Sequence, residues 1–257
     1  MEPNEPTHCT GSNHPARAEL RSLVGRGVSS DSKRVQYQTS HLAELPTSQQ
    51  AAVLVLFGVL DAEPARVPAP AGAVSDDLDV LIVVRADTLR KHAGQPAFHG
   101  GKVDPEDYDA ARELNVPVSF VAALREAEEE TGLDPAGVEV LGELESVPLS
   151  VTNFQVSPVI GWWCRQSEVA AQDQNESSLV VRVPVADLLN PENRHTAQVR
   201  REDFVHKSPA FTVRQGGNEF VIWGFTGIVL DRIFTALGWT VPWDDNDKRP
   251  APGTAGA

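Results

Sequence analysis

Cysteine is nearly absent from this 257-residue chain, with only Cys9 and Cys164 present. Two cysteines so far apart in sequence predict neither a disulfide scaffold nor a thiolate zinc site, and they point to a reducing compartment. Cys164 follows Trp162 and Trp163 in an apolar run and reads as a small buried residue. Basic side chains are also scarce. Twenty-two Lys and Arg stand against thirty-six Asp and Glu, a formal net charge of −14, which excludes nucleic acid as the expected partner because phosphate backbones require a basic surface. No basic region followed by an apolar segment opens the chain, so no signal peptide is expected. The longest apolar run, Ala51 to Leu60, is too short to cross a bilayer. A cytoplasmic protein without a membrane partner is the expectation.

Three familiar catalytic signatures are missing too. In "PAFHGGKV", Pro96 stands where a Walker A loop needs its first glycine and Val103 follows Lys102. There is no Gly-x-Ser-x-Gly elbow. His92 and His99 lack the four-residue spacing of a helical zinc pair.

Hydrophobic residues make up 41% of the chain, enough for one sizeable core. Residues 1–35 and the tail 244–257 are polar, rich in Pro and Gly and without apolar periodicity, so both are expected to be disordered around a single domain at 36–243. Within that domain, Ala51–Leu60, Leu78–Ala86, Val138–Leu149, Phe154–Cys164, Ser178–Val185 and Asn218–Gly224 read as strands, and a Pro/Ala/Gly linker separates the first two. Helical spacing marks Val118–Thr131 and Phe225–Trp239. Strands mixed with helices imply an α/β protein, a sandwich around a central mixed sheet.

One segment runs against local electrostatics. "REAEEETGL", Arg125 to Leu133, crowds Glu126, Glu128, Glu129 and Glu130 into a helix that stops at Gly132. Glu126, Glu129 and Glu130 share one face. There they repel one another and oppose the negative end of the helix dipole, at a cost of about 0.3–1 kcal/mol per charge. A hard divalent cation, Mg²⁺ or Mn²⁺, reverses the sign of that argument because oxygen donors clustered on one face are its natural ligands. A solvated acidic face is the competing reading.

The order of residues decides between them. "GGKVDPED", followed downstream by "ALREAEEETGL", resembles the signature of the Nudix hydrolases, and Arg125 to Leu133 match every fixed position of its second half. "LRKHAGQPAFHGG" is similar to the motif of the coenzyme A pyrophosphatase branch, with Leu89, Arg90, His92, Gly94, Gln95, Phe98, Gly100 and Gly101 in place. His99 stands where that branch has proline. The resemblance covers about Ala51 to Trp243 and implies a Nudix-like α/β/α sandwich.

For chemistry, it implies a metal-dependent pyrophosphohydrolase that cleaves coenzyme A or an acylated form to 3′,5′-ADP and (acyl-)4′-phosphopantetheine. Glu126, Glu129 and Glu130 are then the ligands of Mg²⁺ or Mn²⁺, and Arg125, Glu126 and Glu129 the catalytic set. Arg90, His92, Gln95, Gly100 and Gly101 become the substrate contacts. The general base is Glu126 or, less favoured, Glu176. Residues 110–117 lengthen the space between Gly101 and Arg125 and read as a surface insertion. The isolated acid of the signature's first half is therefore left open among Glu106, Asp107 and Asp109. Two other readings also stay open: a Nudix hydrolase of ADP-ribose or a reduced nicotinamide dinucleotide, and a nucleotide-binding module without turnover. Homodimerisation is left open.

Overall fold

A computed structural model of the chain describes residues 9–10, 13–26, 49–59, 65–66, 68, 77–86, 94–149, 153–175, 177–201 and 204–253. In chain order the elements are α1 (Pro15–Arg26), β1 (Gln49–Val59), β2 (Leu78–Arg85), β3 (Pro96–Ala97), β4 (His99–Lys102), α2 (Pro105–Leu114), α3 (Val118–Thr131), β5 (Val138–Glu143), β6 (Val147–Leu149), β7 (Phe154–Trp163) and β8 (Ser177–Pro184). These are followed by α4 (Val185–Leu189), β9 (Arg194–Arg201), β10 (Phe204–Gln215), β11 (Asn218–Ile222), α5 (Gly224–Ala236) and β12 (Lys248–Pro250).

The larger sheet is mixed, as expected. β1 runs parallel to β7 from Gln49↔Phe154 to Phe57↔Trp162, and its other edge pairs antiparallel with β2 and β4. β1 is central and covered on both faces, which is why it reads as an unbroken apolar run rather than an alternating one. One face packs Val55, Phe57, Val80 and Ile82 with Leu20 and Leu23 of α1 and with Ile233 and Phe234 of α5. The other packs Ala52, Leu54, Leu56 and Leu81 with Ala122, Ala123 and Ala127 of α3. The result is an α/β/α sandwich. Four further strands form a second sheet in the order β11-β10-β9-β12.

Several expectations are corrected. The segment 1–35 contains helix α1, held by the buried Ala16, Leu20 and Leu23. Three apolar residues form too narrow a stripe to stand out in a polar stretch, and it is the waiting apolar sheet face that makes the helix worthwhile. The tail after Asp244 contains β12, which pairs in parallel with β9, and Ala251 is buried. Residues 110–117 are not a loop: most belong to α2, whose Ala111 is buried against the domain. Val138–Leu149 is two strands, with an irregularity between Val140 and Gly142. The β9–β10 hairpin was not expected because its sequence is dominated by polar and charged residues.

The largest correction concerns the cysteines. Cys9 and Cys164 form a disulfide across a sequence separation of 155. Distance in sequence does not limit distance in space. Thr10 donates its backbone N–H to the Cys164 carbonyl at 2.8 Å, bringing the N-terminal segment to the end of β7.

Candidate functional site

Helix α3 lies against β1 and β4, with alanines at the contact. Ala122, Ala123 and Ala127 are fully buried, whereas Phe120 and Leu124 are only partly so. Gly132 ends the helix in the left-handed region and returns its N–H to the Glu128 carbonyl at 2.8 Å.

Gly100 is required sterically, and Gly101 leaves room for a carboxylate. Gly100 has φ +154°, and a Cβ there would stand 2.3 Å from the Ala52 carbonyl oxygen. A Cβ on Gly101 would stand 2.5 Å from the Glu126 carboxylate carbon. The bare backbone thus leaves the space that Glu126 fills. Gly100 also donates its N–H to Glu130 Oε2 at 3.3 Å. Gly100, Gly101, Glu126 and Glu130 thus lie together where β4 meets α3.

Arg125 fixes the cluster from one side. Its Nε and Nη2 donate to the two oxygens of Asp107 at 2.9 and 3.0 Å, and Nη2 also reaches the Lys102 carbonyl at 3.1 Å. Nη1 lies 3.0 Å from Glu126 Oε1 and donates to Glu129 Oε2 at 3.1 Å. One guanidinium fork therefore ties α2, the end of β4 and two carboxylates of α3. Hydrogen bonds to Asp107 and the charges of Glu126 and Asp107 raise the Arg125 pKa against its partial burial, so it stays charged. Asp107 is 2% exposed. Burial alone would raise its pKa, but the Arg125 hydrogen bonds, the Asp104 N–H at 2.8 Å and the Arg125 charge together hold it below the ordinary carboxylate range.

Among the three open acids, Asp107 is the one the fold draws to Arg125; Asp109 pairs with Arg112 on the outside of α2. A sequence signal for this was present. "DPED" has Asp104 before Pro105 at the first helical position and Asp107 three residues on from Asp104, a helix start that reads through the supposed insertion.

Burial raises the Glu126 pKa, and the charges of Glu129 and Asp104 add to the rise while Arg125 opposes it. An all-oxygen set whose ionised form is disfavoured by burial and by like charge suits a hard divalent cation, which would relieve both. Among the described residues the oxygens of Glu126, Glu129 and Glu130 do not all lie within 4.8 Å of one another, so these side chains would have to turn toward a common point to hold one. Gln95 lies elsewhere: its carbonyl accepts the Arg85 N–H at 3.2 Å and its side chain approaches Gly224 at the start of α5. Arg90, His92 and Glu176 fall outside the described residues.

His99 is fully buried, with Nδ1 3.8 Å from Glu130 Oε2, beyond hydrogen-bond reach, and no hydrogen-bond partner for either ring nitrogen among the described residues. Burial lowers its pKa from 6.5 to about 3. The unfolded chain therefore takes up a proton at this residue as pH falls below 6.5 while the folded chain does not, so His99 withdraws stability progressively between pH 6.5 and about 3. The slope is about 1.4 kcal/mol per pH unit. Urea unfolding at several pH values should show it, and His99→Leu should flatten it; equal slopes in both proteins would contradict a neutral buried ring.

A glycine pair abuts a carboxylate-rich helix on a mixed sandwich, and similarity to known proteins gives this arrangement its class. The NUDIX domain family model matches residues 66–207, more than half of the chain, and the chain belongs to the Nudix family, hydrolases of nucleoside diphosphate derivatives that generally use divalent ions such as Mg²⁺ or Mn²⁺. Its relatives include an uncharacterized Nudix hydrolase, NudL, of Escherichia coli (strain K12), 35% identical over 159 residues that span 62% of this chain and 75% of that one. Nudix hydrolase 22, chloroplastic, of Arabidopsis thaliana is 33% identical over 162 residues, 63% of this chain and 50% of that one. Among solved structures, a MutT/nudix family protein from Enterococcus faecalis is similar at 16% identity and a TM-score of 0.43, covering 86% of this chain and 74% of that one. No helix among the described residues is long and apolar enough to cross a membrane.

Proposed function

We propose that the protein hydrolyses the diphosphate of coenzyme A or an acyl-coenzyme A, giving 3′,5′-ADP and (acyl-)4′-phosphopantetheine. The observation that carries the substrate is the motif from Leu89 to Gly101, which leads directly into the β4 glycines beside Glu126 and Glu130. In this reading Glu126, Glu129 and Glu130 hold Mg²⁺ or Mn²⁺. When bound, the ion neutralises the diphosphate and lowers the pKa of the attacking water.

The chain's own groups do the rest. Arg125 orients Glu126 and Glu129 from its seat on Asp107, and the Gly100 N–H orients Glu130. Glu126, whose proton affinity is raised by burial, accepts the proton of the water that attacks phosphorus. The new P–O bond forms as the bridging P–O bond breaks, and the leaving phosphate carries away the electron pair. Gly100, Gly101, Arg90 and His92 contact the substrate, whereas Gln95, at Arg85 and the start of α5, is left out of this reading. A cytoplasmic location belongs to this reading, and there the disulfide would stand under reductive pressure.

The 3′-phosphate of coenzyme A is the group the metal ions do not neutralise, and Arg90 with Lys91 is the cationic pair of the motif. A charge-assisted contact contributes about 1.5–3 kcal/mol, or roughly one to two orders of magnitude in kcat/KM. Dephospho-coenzyme A should therefore be the poorer substrate, and Arg90→Ala should narrow the gap by slowing coenzyme A selectively. Equal kcat/KM on both substrates in the unmodified enzyme would redirect the reading to another dinucleotide such as ADP-ribose. Absence of turnover with either metal ion on every candidate would leave a binding module.

A further inference from the structure

The Cys9–Cys164 disulfide joins two segments with separate roles. On one side it holds residues 9–26. Trp162 Nε1 donates to the Thr10 carbonyl at 3.1 Å, His14 lies 5.5 Å from the Trp162 ring, and α1 sets Leu20 and Leu23 into the core. On the other side, Cys164 is the root of the segment that closes the C-terminal end of α3. Cys164 and Arg165 donate their N–H groups to the Gly137 carbonyl at 2.9 and 3.0 Å. Ala170 and Gln172 then donate theirs to the carbonyls of Thr131 and Glu130 at 3.0 and 3.1 Å. Those last-turn carbonyls have no partner within the helix, so this segment satisfies the end of the helix that carries the site.

We propose that the Cys9–Cys164 pair is a redox-operated latch, which in its disulfide form clamps the N-terminal segment to the sheet and steadies the segment capping the C-terminal end of α3. Only its bearing on turnover rests on the hydrolase reading. Both cysteines are only half-buried, so the link is not sealed inside the core. Glu139 stands with them in a group close enough to hold a metal ion, but its carboxylate is already shared by Arg17 and Arg21, which leaves it a poor third ligand. Thiol–disulfide exchange is the chemistry that remains.

In the reducing direction an external dithiol attacks one sulfur, the protein S–S bond breaks and a mixed disulfide forms. The reagent's second thiol then closes its own disulfide, so two electrons and two protons end on Cys9 and Cys164 as thiols. A low-molecular-weight disulfide runs the exchange backwards. Opening the link frees a segment otherwise tethered across 155 residues, while the burial of Leu20 and Leu23 retains the fold, so the change is a local opening.

The test is peptide-level hydrogen exchange on the full chain in glutathione disulfide and in dithiothreitol, with maleimide counting of thiols and coenzyme A hydrolysis measured in parallel. The oxidised protein should show no reactive thiol and the reduced protein two. Reduction should speed exchange in residues 14–26 and 165–172 by about tenfold or more, leaving β1 and β2 protected. Cys9→Ser should match the reduced state in both buffers. Exchange that responds to reduction supports the latch whether or not coenzyme A is turned over. Equal exchange in the two buffers, or two thiols that persist in glutathione disulfide, would overturn it.

Discussion

Replacing Asp107 with alanine should destabilise the protein and depress turnover together. Removing one partner of a buried ion pair costs about 3–5 kcal/mol because the other charge is left stranded. Arg125 keeps 25% of its side-chain surface in water and retains Glu126 and Glu129 as partners, so it is not stranded and a cost below that range, about 1–3 kcal/mol, is expected. The same change cuts the bidentate anchor that aims Arg125 at Glu126 and Glu129, and kcat should fall even in the fraction that remains folded. Urea unfolding and kcat measured well below the unfolding midpoint separate the two effects. The Asp107 contribution has a defined pH window: its folded pKa lies below the 3.8 of the unfolded carboxyl, so the stability is present above that value and is lost as pH falls through the lower one. A variant of native stability and native kcat would remove Asp107 from the site.

Glu129→Gln tests the ligand assignment with little disturbance of the fold. The side chain is 60% exposed. Its removal relieves like-charge repulsion at the negative end of α3 by about 0.3–1 kcal/mol and forfeits an exposed pair with Arg125 four residues away, worth about 0.3–0.5 kcal/mol. These nearly offset, so the melting temperature of the metal-free protein should change little. Turnover with Mg²⁺ or Mn²⁺ should nonetheless drop by about a hundredfold or more, equivalent to about 2.7 kcal/mol of barrier. Calorimetry of metal binding should show weakened affinity. Retention of full activity would overturn the assignment.

The contrast between these residues shows where sequence reasoning reached and where it stopped. Glu126, Glu129 and Glu130 were legible because their crowding is locally unfavourable and ordered, and an unfavourable pattern in a helix calls for a compensating partner. Asp107 was one of three open acids because its meaning lies in a contact eighteen residues away, with Arg125. Residues 110–117 do lie at the surface, but most of them are helical for the same reason: α2 is defined less by its own apolar stripe than by what Asp107 and Ala111 meet.

By itself the sequence determined the period-governed features: the apolar β1, the two long helices, the mixed α/β class, the β4 glycines and the carboxylate face of α3. Each depends on residues within a few positions of one another, where helix and strand geometry alone decides which side chains are neighbours. Tertiary structure decided what depends on distant partners. It chose Asp107 for Arg125, turned residues 15–26 into a helix by offering Leu20 and Leu23 an apolar sheet face, and drew Lys248–Pro250 alongside β9. It also joined Cys9 to Cys164. Two cysteines 155 residues apart carry no local signal of their pairing, because only the path of β7 beneath the N-terminal segment brings their sulfurs within bonding distance.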